Sequence, residues 1–305
     1  MASVHYVFED RALVDIGEHV FPTTKYRLLA DAIREELQVP AERFHGWDEV
    51  EDEDLERVHT PRYLEDLREC RATWATVSSE LPVNEGVISG FRAMCGGSIA
   101  AVRLSLEHGI GYHIGGGFHH AFPDHAEGFC YLHDVAIAIE RLRADEGVGR
   151  VLVVDVDVHQ GNGTAKVYEG DGETFTYSLH QERNYPVKQR SDLDQGLDDG
   201  VGDEEYLARL AEDLDTIDRR FEPELVCYVA GVDPFARDQL GGLELSADGI
   251  LARDRSVIGR YRARGLPVAI FLAGGYSPEP QTTAALHLLS ARAAEESTQS
   301  ASGPS

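Results

Sequence analysis

Short apolar runs, each closed by aspartate, histidine or glycine, alternate with longer amphipathic stretches along this chain. Val151 to Val154 consists of valines and one leucine, a composition suited to a strand buried on both faces. Leu225–Val229 and Ala269–Ala273 read the same way, and each gives way to a glycine-containing loop. Segments such as Glu204–Phe221 read instead as amphipathic helices. This alternation predicts an α/β fold, a parallel sheet wrapped by helices. The 305 residues are ample for one large core, and no internal stretch reads as an interdomain linker. A single domain is therefore expected over residues 1–290. Ala291 to Ser305 is small, polar and Gly/Pro-containing, and is expected to be a disordered tail.

The chemistry sits where the runs end. Asp155, Asp157 and His159 occupy alternate positions at the close of the first run, and an extended chain sends such side chains to one side. Open α/β sheets hold ligands at the carboxyl ends of their strands. A carboxylate and an imidazole aimed at one point there suit a catalytic divalent metal, the alternative being a loop cap. Upstream, Gly115, Gly116 and Gly117 mark a loop whose backbone passes close to something, and His119 and His120 follow. Such a pair supplies a general base and acid near neutral pH, although hydrogen-bonded loop packing explains it as well. Asp233 follows the second run, and Tyr276 follows Gly274 and Gly275. Singly these read as a turn residue and a packing aromatic. Four segment ends presenting Asp/His, His-His, Asp and Tyr point together to one hydrolytic centre.

The ordered segments G-G-F-H-H-A (116–121), G-F-C (128–130), D-V-D-V-H-Q-G-N-G (155–163), G-V-D (231–233) and G-G-Y (274–276) resemble those of zinc-dependent histone deacetylases and their prokaryotic relatives. H-V-F-P-T-T-K-Y-R-L-L (19–29) and H-T-P-R-Y-L (59–64) fit the same family, so the resemblance runs from about residue 5 to about residue 290. H-Q-G-N-G, in place of the more usual H-H-G-D-G, is similar to the class IV branch. The resemblance implies a three-layer αβα fold with a central, mainly parallel eight-stranded sheet. It implies Asp157, His159 and Asp233 as zinc ligands. His120 is then the general base and acid, His119 its electrostatic partner held by Asp155, and Tyr276 the oxyanion donor. Gly128, Phe129, Tyr185, Gly274 and Gly275 would line the acyl-lysine tunnel. A structural K⁺ would take oxygens from Asp155, Asp157, His159, Ser178 and Leu179. The implied activity is metal-dependent removal of acetyl or longer acyl groups from lysine or a related primary amine. Acetylpolyamine or small-metabolite hydrolysis, a two-manganese ureohydrolase and a non-catalytic acyl-group binder are the alternatives. The ureohydrolase needs a D-x-H-x-D run, whereas Gln160, Gly161 and Asn162 follow His159 here. Two carboxylates and one imidazole accept Fe²⁺ or Co²⁺ as well as Zn²⁺. One departure stands out. Asn162 replaces the aspartate usual behind the second histidine, and a neutral amide orients His120 without stabilising its charged form.

Composition adds an environment. The formal net charge is −26, from 54 acidic against 28 basic residues, and Lys25, Lys166 and Lys188 are the only lysines. That excess disfavours nucleic-acid binding and predicts self-repulsion relieved by salt, as in proteins of a salt-accumulating cytoplasm. Cys70, Cys95, Cys130 and Cys227 lack C-x-x-C spacing and are expected as free thiols in a reducing compartment. Neither a signal peptide nor a membrane span is expected, so a cytoplasmic enzyme is anticipated. The acidic runs at 51–54 and 192–200 do not fit calcium-loop spacing and are expected as solvated loop faces. Oligomeric state leaves no mark on the sequence.

Overall fold

The computed structural model describes residues 2–299. Eight strands build one sheet: β1 (Ser3–Val7), β2 (Phe44–His45), β3 (Gly109–His113), β4 (Val151–Asp155), β5 (Thr174–Gln181), β6 (Leu193–Leu197), β7 (Leu225–Val229) and β8 (Val268–Phe271). Their spatial order is β2-β1-β3-β8-β7-β4-β5-β6, and every pairing is parallel. All residues of β4, β5, β7 and β8 are buried, as strands covered by helices on both faces must be. On one side Pro280–Gln299 packs between Lys25–Glu36 and Ala247–Ala263, and Ala247–Ala263 packs in turn against Asp203–Arg220. Glu85–His108 and Asp134–Glu146 form the other layer, giving a three-layer αβα architecture.

Glu85–His108 is long and apolar enough, by length and composition, to cross a membrane, but 72% of its apolar window is buried inside the protein. It packs along β1, β3 and β8 as a core helix. Its tight approach to the sheet depends on Gly111, where a Cβ would collide with the Ala101 carbonyl.

Two expectations are corrected. Residues 291–299 are not a disordered tail but the last turns of the helix Pro280–Gln299. Ala291, Ala293 and Ala294 are buried, and Glu295 accepts hydrogen bonds from Tyr6 and Arg43, so small residues mark close helix packing here. The remainder of the expected tail, 300–305, lies outside the described residues. The acidic runs are not simple solvated loops either. Asp54 is buried against Arg141, and 193–197 pairs with β5 as the edge strand β6.

Candidate active site

The four segment ends singled out by sequence hang from β3, β8, β7 and β4, which are neighbours in the sheet. Parallel strands bring all four carboxyl ends to one side, so His119 and His120, Tyr276, Asp233, and the Asp155–His159 segment meet there. Strand β4 stops at Asp155, so Asp157 and His159 are not its continuation. Instead Asp155 Oδ1 accepts from Asp157 N (3.1 Å) and Asp157 Oδ1 from His159 N (3.0 Å). Each aspartate turns the chain by bonding the backbone two residues on. The triple-glycine loop is held by Asp134, whose carboxylate accepts from Gly117 N (3.0 Å) and Phe118 N (2.7 Å). Arg253, fully buried with Asp254, donates to Gly231 O (2.6 Å) and fixes the loop that carries Asp233.

Asp157, His159 and Asp233 each offer a ligand atom within 4.8 Å of the others, all three residues being buried. Asp157 Oδ2 accepts from Gly274 N (2.8 Å) and Asp233 Oδ1 from Val158 N (2.8 Å). His159 Nδ1 lies 3.0 Å from Asp157 Oδ1 and 3.3 Å from Asp233 Oδ2, yet Asp233 Oδ2 has no hydrogen-bond partner. An orphaned buried carboxylate oxygen is costly, and a cation shared with its neighbours is what it lacks. A glycine is required at 274, because a Cβ there would strike the carboxylate oxygens of Asp157 and Asp233. Burial and the Asp157 charge raise the pKa of Asp233 to about 7. Burial opposes the charging of His159, but its bond to Asp157 and the nearby carboxylate of Asp233 raise it to about 10. The donor set fits a divalent metal.

The two histidines stand beside this cluster, ring centroids 4.0 Å apart. His119 Nδ1 donates to Asp155 Oδ2 (2.7 Å). Burial works against its charged form, but Asp155 and Asp157 prevail and raise its pKa to about 9. His120 Nδ1 donates to Asn162 Oδ1 (2.7 Å), an oxygen that also accepts from Gly163 N (3.0 Å). Burial, then the charges of His119 and His159, push His120 well below the usual histidine range, the Asn162 bond opposing only in part. The surroundings thus favour the charged form of His119 and the neutral form of His120, with a free lone pair.

A cavity of about 200 Å³ leads to these groups, lined among others by Gly128, Phe129, Tyr185, His159 and Tyr276. Phe129 and Tyr276 meet edge to face at 6.0 Å, and the Tyr185 ring stands 5.3 Å from that of His120. Gly275 (φ +144°) precedes Tyr276, whose N–H donates to Asp238 Oδ2 (2.7 Å). Across the neighbouring strands Asp155 is in register with Ser178, and Ser178 and Leu179 are both buried. The Ser178 hydroxyl lies 3.0 Å from His180 Nδ1. Cys130 is a buried free thiol bonded to Gly128 O, its pKa raised by burial.

Sequence reasoning assigned no role to Asp134, Glu127, Lys25 or Arg253. Lys25 is fully buried behind the Gly-Gly-Tyr loop and donates to Ala273 O (2.8 Å). Burial lowers its pKa to about 8, against the charges of Asp233, Asp157 and Asp238. A lysine following H-V-F-P in a chain with only three was the available signal.

The model of the histone deacetylase domain matches residues 19–292. An uncharacterized protein of Picosynechococcus sp. is 39% identical over 283 residues, covering 92% of this chain and 94% of that one. Histone deacetylase 2 of Arabidopsis thaliana is 35% identical over 235 residues, and a histone deacetylase-like amidohydrolase of Pseudomonas aeruginosa 32% over 243. These cover 73% and 74% of this chain, but only 60% and 64% of the relatives' own lengths. In structure, an HDAC homolog crystallised with SAHA superposes with a TM-score of 0.80 at 24% identity, over 98% of this chain and 88% of that one. An HDAC homolog from Aquifex aeolicus gives 0.79 at 24% identity, over 97% and 88%. The family match over nine-tenths of the sequence and the convergence of all four strand ends agree, and the chain belongs to the histone deacetylase domain family.

Proposed function

We propose that this protein is a zinc-dependent deacylase that removes acetyl or longer acyl groups from lysine side chains, working as one catalytic domain. The reaction class is metal-dependent amide hydrolysis. One observation carries it: a three-ligand cluster with an orphaned Asp233 oxygen lies beside two oppositely tuned histidines at the foot of a narrow cavity. Asp157, His159 and Asp233 would hold the ion. Bound there, it polarises the amide carbonyl and makes water acidic enough to attack.

The chain's own residues do the rest. His120, neutral and with its Nδ1 proton given to Asn162, presents Nε2 to take a proton from the attacking water. The charge on His119, anchored by Asp155, stabilises negative charge as it develops and keeps the base from being protonated early. Tyr276 keeps its proton and donates a hydrogen bond from its hydroxyl to the oxyanion, and the protonated His120 then passes the proton taken from water to the leaving amine as the C–N bond breaks. Phe129 and Tyr185 flank an aliphatic stem while excluding water.

The Asn162 variant of the motif supports a class IV-like placement within the family. Ser178 in register with Asp155, with Leu179 beside it, supports a structural K⁺ at that strand pair. Among the described residues one cluster alone has metal-ligand geometry, which disfavours a two-manganese ureohydrolase. The test is a screen of Zn²⁺-reconstituted protein against acyl-lysine peptides and acetylpolyamines, with Asp157→Ala and Tyr276→Phe as controls. Tyr276→Phe is expected to lower kcat by about 10²–10³, and Asp157→Ala to abolish turnover. Equal activity in either variant sinks the mechanism, and turnover of acetylpolyamines alone replaces the substrate class.

A further inference from the structure

The mechanism above leaves unused a carboxylate directly behind Asn162. Glu127 Oε1 accepts from Asn162 Nδ2 (2.9 Å) and from the Tyr185 hydroxyl (3.1 Å), while Oε2 lies 3.6 Å from His125 Nε2. Its backbone is fixed by a reciprocal pair with Cys130, Glu127 N to Cys130 O (3.1 Å) and Cys130 N to Glu127 O (2.9 Å). Glu127 is half-buried, yet its bonds to His125, Asn162 and Tyr185 outweigh burial and hold it below the ordinary glutamate range. It is ionised, and an ionised carboxylate only accepts.

That property matters because Asn162 has two chemically different ends. Asn162 is fully buried, and the amide end facing His120 decides which imidazole nitrogen carries the proton. An amide oxygen facing His120 requires Nδ1–H and frees Nε2 to act as a base; an amide NH₂ there imposes the opposite, unproductive tautomer. Gly163 N–H favours the oxygen-in orientation from the inner end, and Glu127 accepts the NH₂ at the outer end. We propose that Glu127 is a positioning residue that orders the Asn162 amide, fixes the base tautomer of His120, and through the same oxygen holds Tyr185 against the tunnel. The charge absent at position 162 stands one side chain further out. This rests on the deacylase reading of the site.

A consequence separates this arrangement from a simple Asp-for-Asn exchange. Asn162→Asp alone sets a second carboxylate at hydrogen-bond distance from Glu127, and two such groups cannot both stay ionised without repulsion. Glu127→Gln supplies an NH₂ that a carboxylate at 162 accepts. The two positions are reciprocal: acid outside with amide inside, or amide outside with acid inside.

The experiment uses Zn²⁺-loaded protein, an acetyl-lysine peptide, and ¹⁵N NMR of histidine-labelled protein to read which His120 nitrogen is protonated. Glu127→Gln is expected to lower kcat by about tenfold, to raise KM as Tyr185→Phe does because the same oxygen holds Tyr185, and to populate the Nε2-protonated tautomer of His120. Asn162→Asp is expected to fall at least as far. The double variant should recover most of the loss, a coupling typical of groups in one hydrogen-bond network. Tyr185→Phe, which cuts only the tunnel arm, should raise KM and leave the tautomer in place. The proposal is overturned if the tautomer is unchanged in Glu127→Gln, if the double variant loses the product of the single effects, or if Tyr185→Phe reproduces the kcat loss. Should wild type turn over no acyl-lysine peptide, the deacylase reading fails, while the NMR tautomer still decides the role of Glu127.

Discussion

The interior of this protein holds two populations of buried histidine. His119 and His159 face carboxylates and are raised to about 9 and about 10. His59, His113 and His133, in the scaffold behind them, meet backbone and hydroxyl groups. His59 bonds Phe122 O, His113 the Ser98 hydroxyl, and His133 the Thr164 hydroxyl. Burial lowers them to about 4, about 3 and about 3. Burial is the largest influence in both sets and acts in the same direction. What differs is whether an acceptor with charge stands within bonding distance, and in a poorly polarisable interior that decides the sign. His120 lies in the active site but belongs electrostatically to the scaffold set, which makes it a base beside a fixed cation.

The sharpest way to break this contrast is to delete each partner. His120→Ala is expected to lower kcat by about 10²–10⁴, as removal of a general acid–base group does. His119→Ala should cost less, since its charge assists without relaying the proton. A larger loss from His119 than from His120, measured under saturating peptide, reverses the assignment.

The next effect is on pH dependence. With His120 lowered, the acidic limb of kcat/KM is expected below the ordinary histidine value of about 6.5. Asn162→Asp in a Glu127→Gln background places charge behind His120 and should move that limb upward by about one unit or more. A limb that stays put means charge behind the ring is not what separates the two populations.

Stability tests the scaffold set. Folded-state values below the unfolded value mean that the unfolded chain binds more protons as pH falls through 6.5. The contribution of His59, His113 and His133 is thus complete above about pH 6.5 and is lost on acidification toward their folded values. Each should cost roughly 1–2 kcal/mol by pH 5, seen as a falling denaturant midpoint. His133→Gln, which keeps a polar group without titrating, should flatten that slope, and an unaltered slope removes His133 from the account. The smallest effect concerns the surface, where charge is screened rather than buried. With a net charge of −26, Tm is expected to rise by a few degrees between low salt and 1 M KCl, where the screening length is about 3 Å. A Tm independent of KCl leaves the acidic composition without the salt adaptation read into it.

The apolar runs at 151–154, 225–229 and 269–273 and the helix near 204–221 were legible because their periodicity is local. The ends of the elements were not. Asp157 and His159 read as a continuing strand, because alternation in sequence does not distinguish an extended chain from two successive aspartate turns. Asn162 is marked in sequence only as a replacement for aspartate, and nothing in its Gly-Asn-Gly setting announces that it opens the short helix Asn162–Val167. Strands β2 and β6 carry too little apolar signal to be seen, since edge strands need little burial. Glu127 lies just before the G-F-C segment and received no role, because its partners Asn162 and Tyr185 are 35 and 58 residues away. The residues that act were marked by type and position, whereas those that hold them are defined by contacts the sheet order creates.

The place of β8 in that order has a temporal consequence. It is the last strand among the described residues, yet it lies between β3 and β7 and is hydrogen-bonded to both. Everything N-terminal to it makes two separate half-sheets, β2-β1-β3 bearing the histidine pair and β7-β4-β5-β6 bearing the metal ligands. Neither half by itself holds all the groups of the candidate site. Residues 268–271 join the two halves and carry the chain on to Tyr276, a long-range pairing of the kind that is intrinsically slow to form.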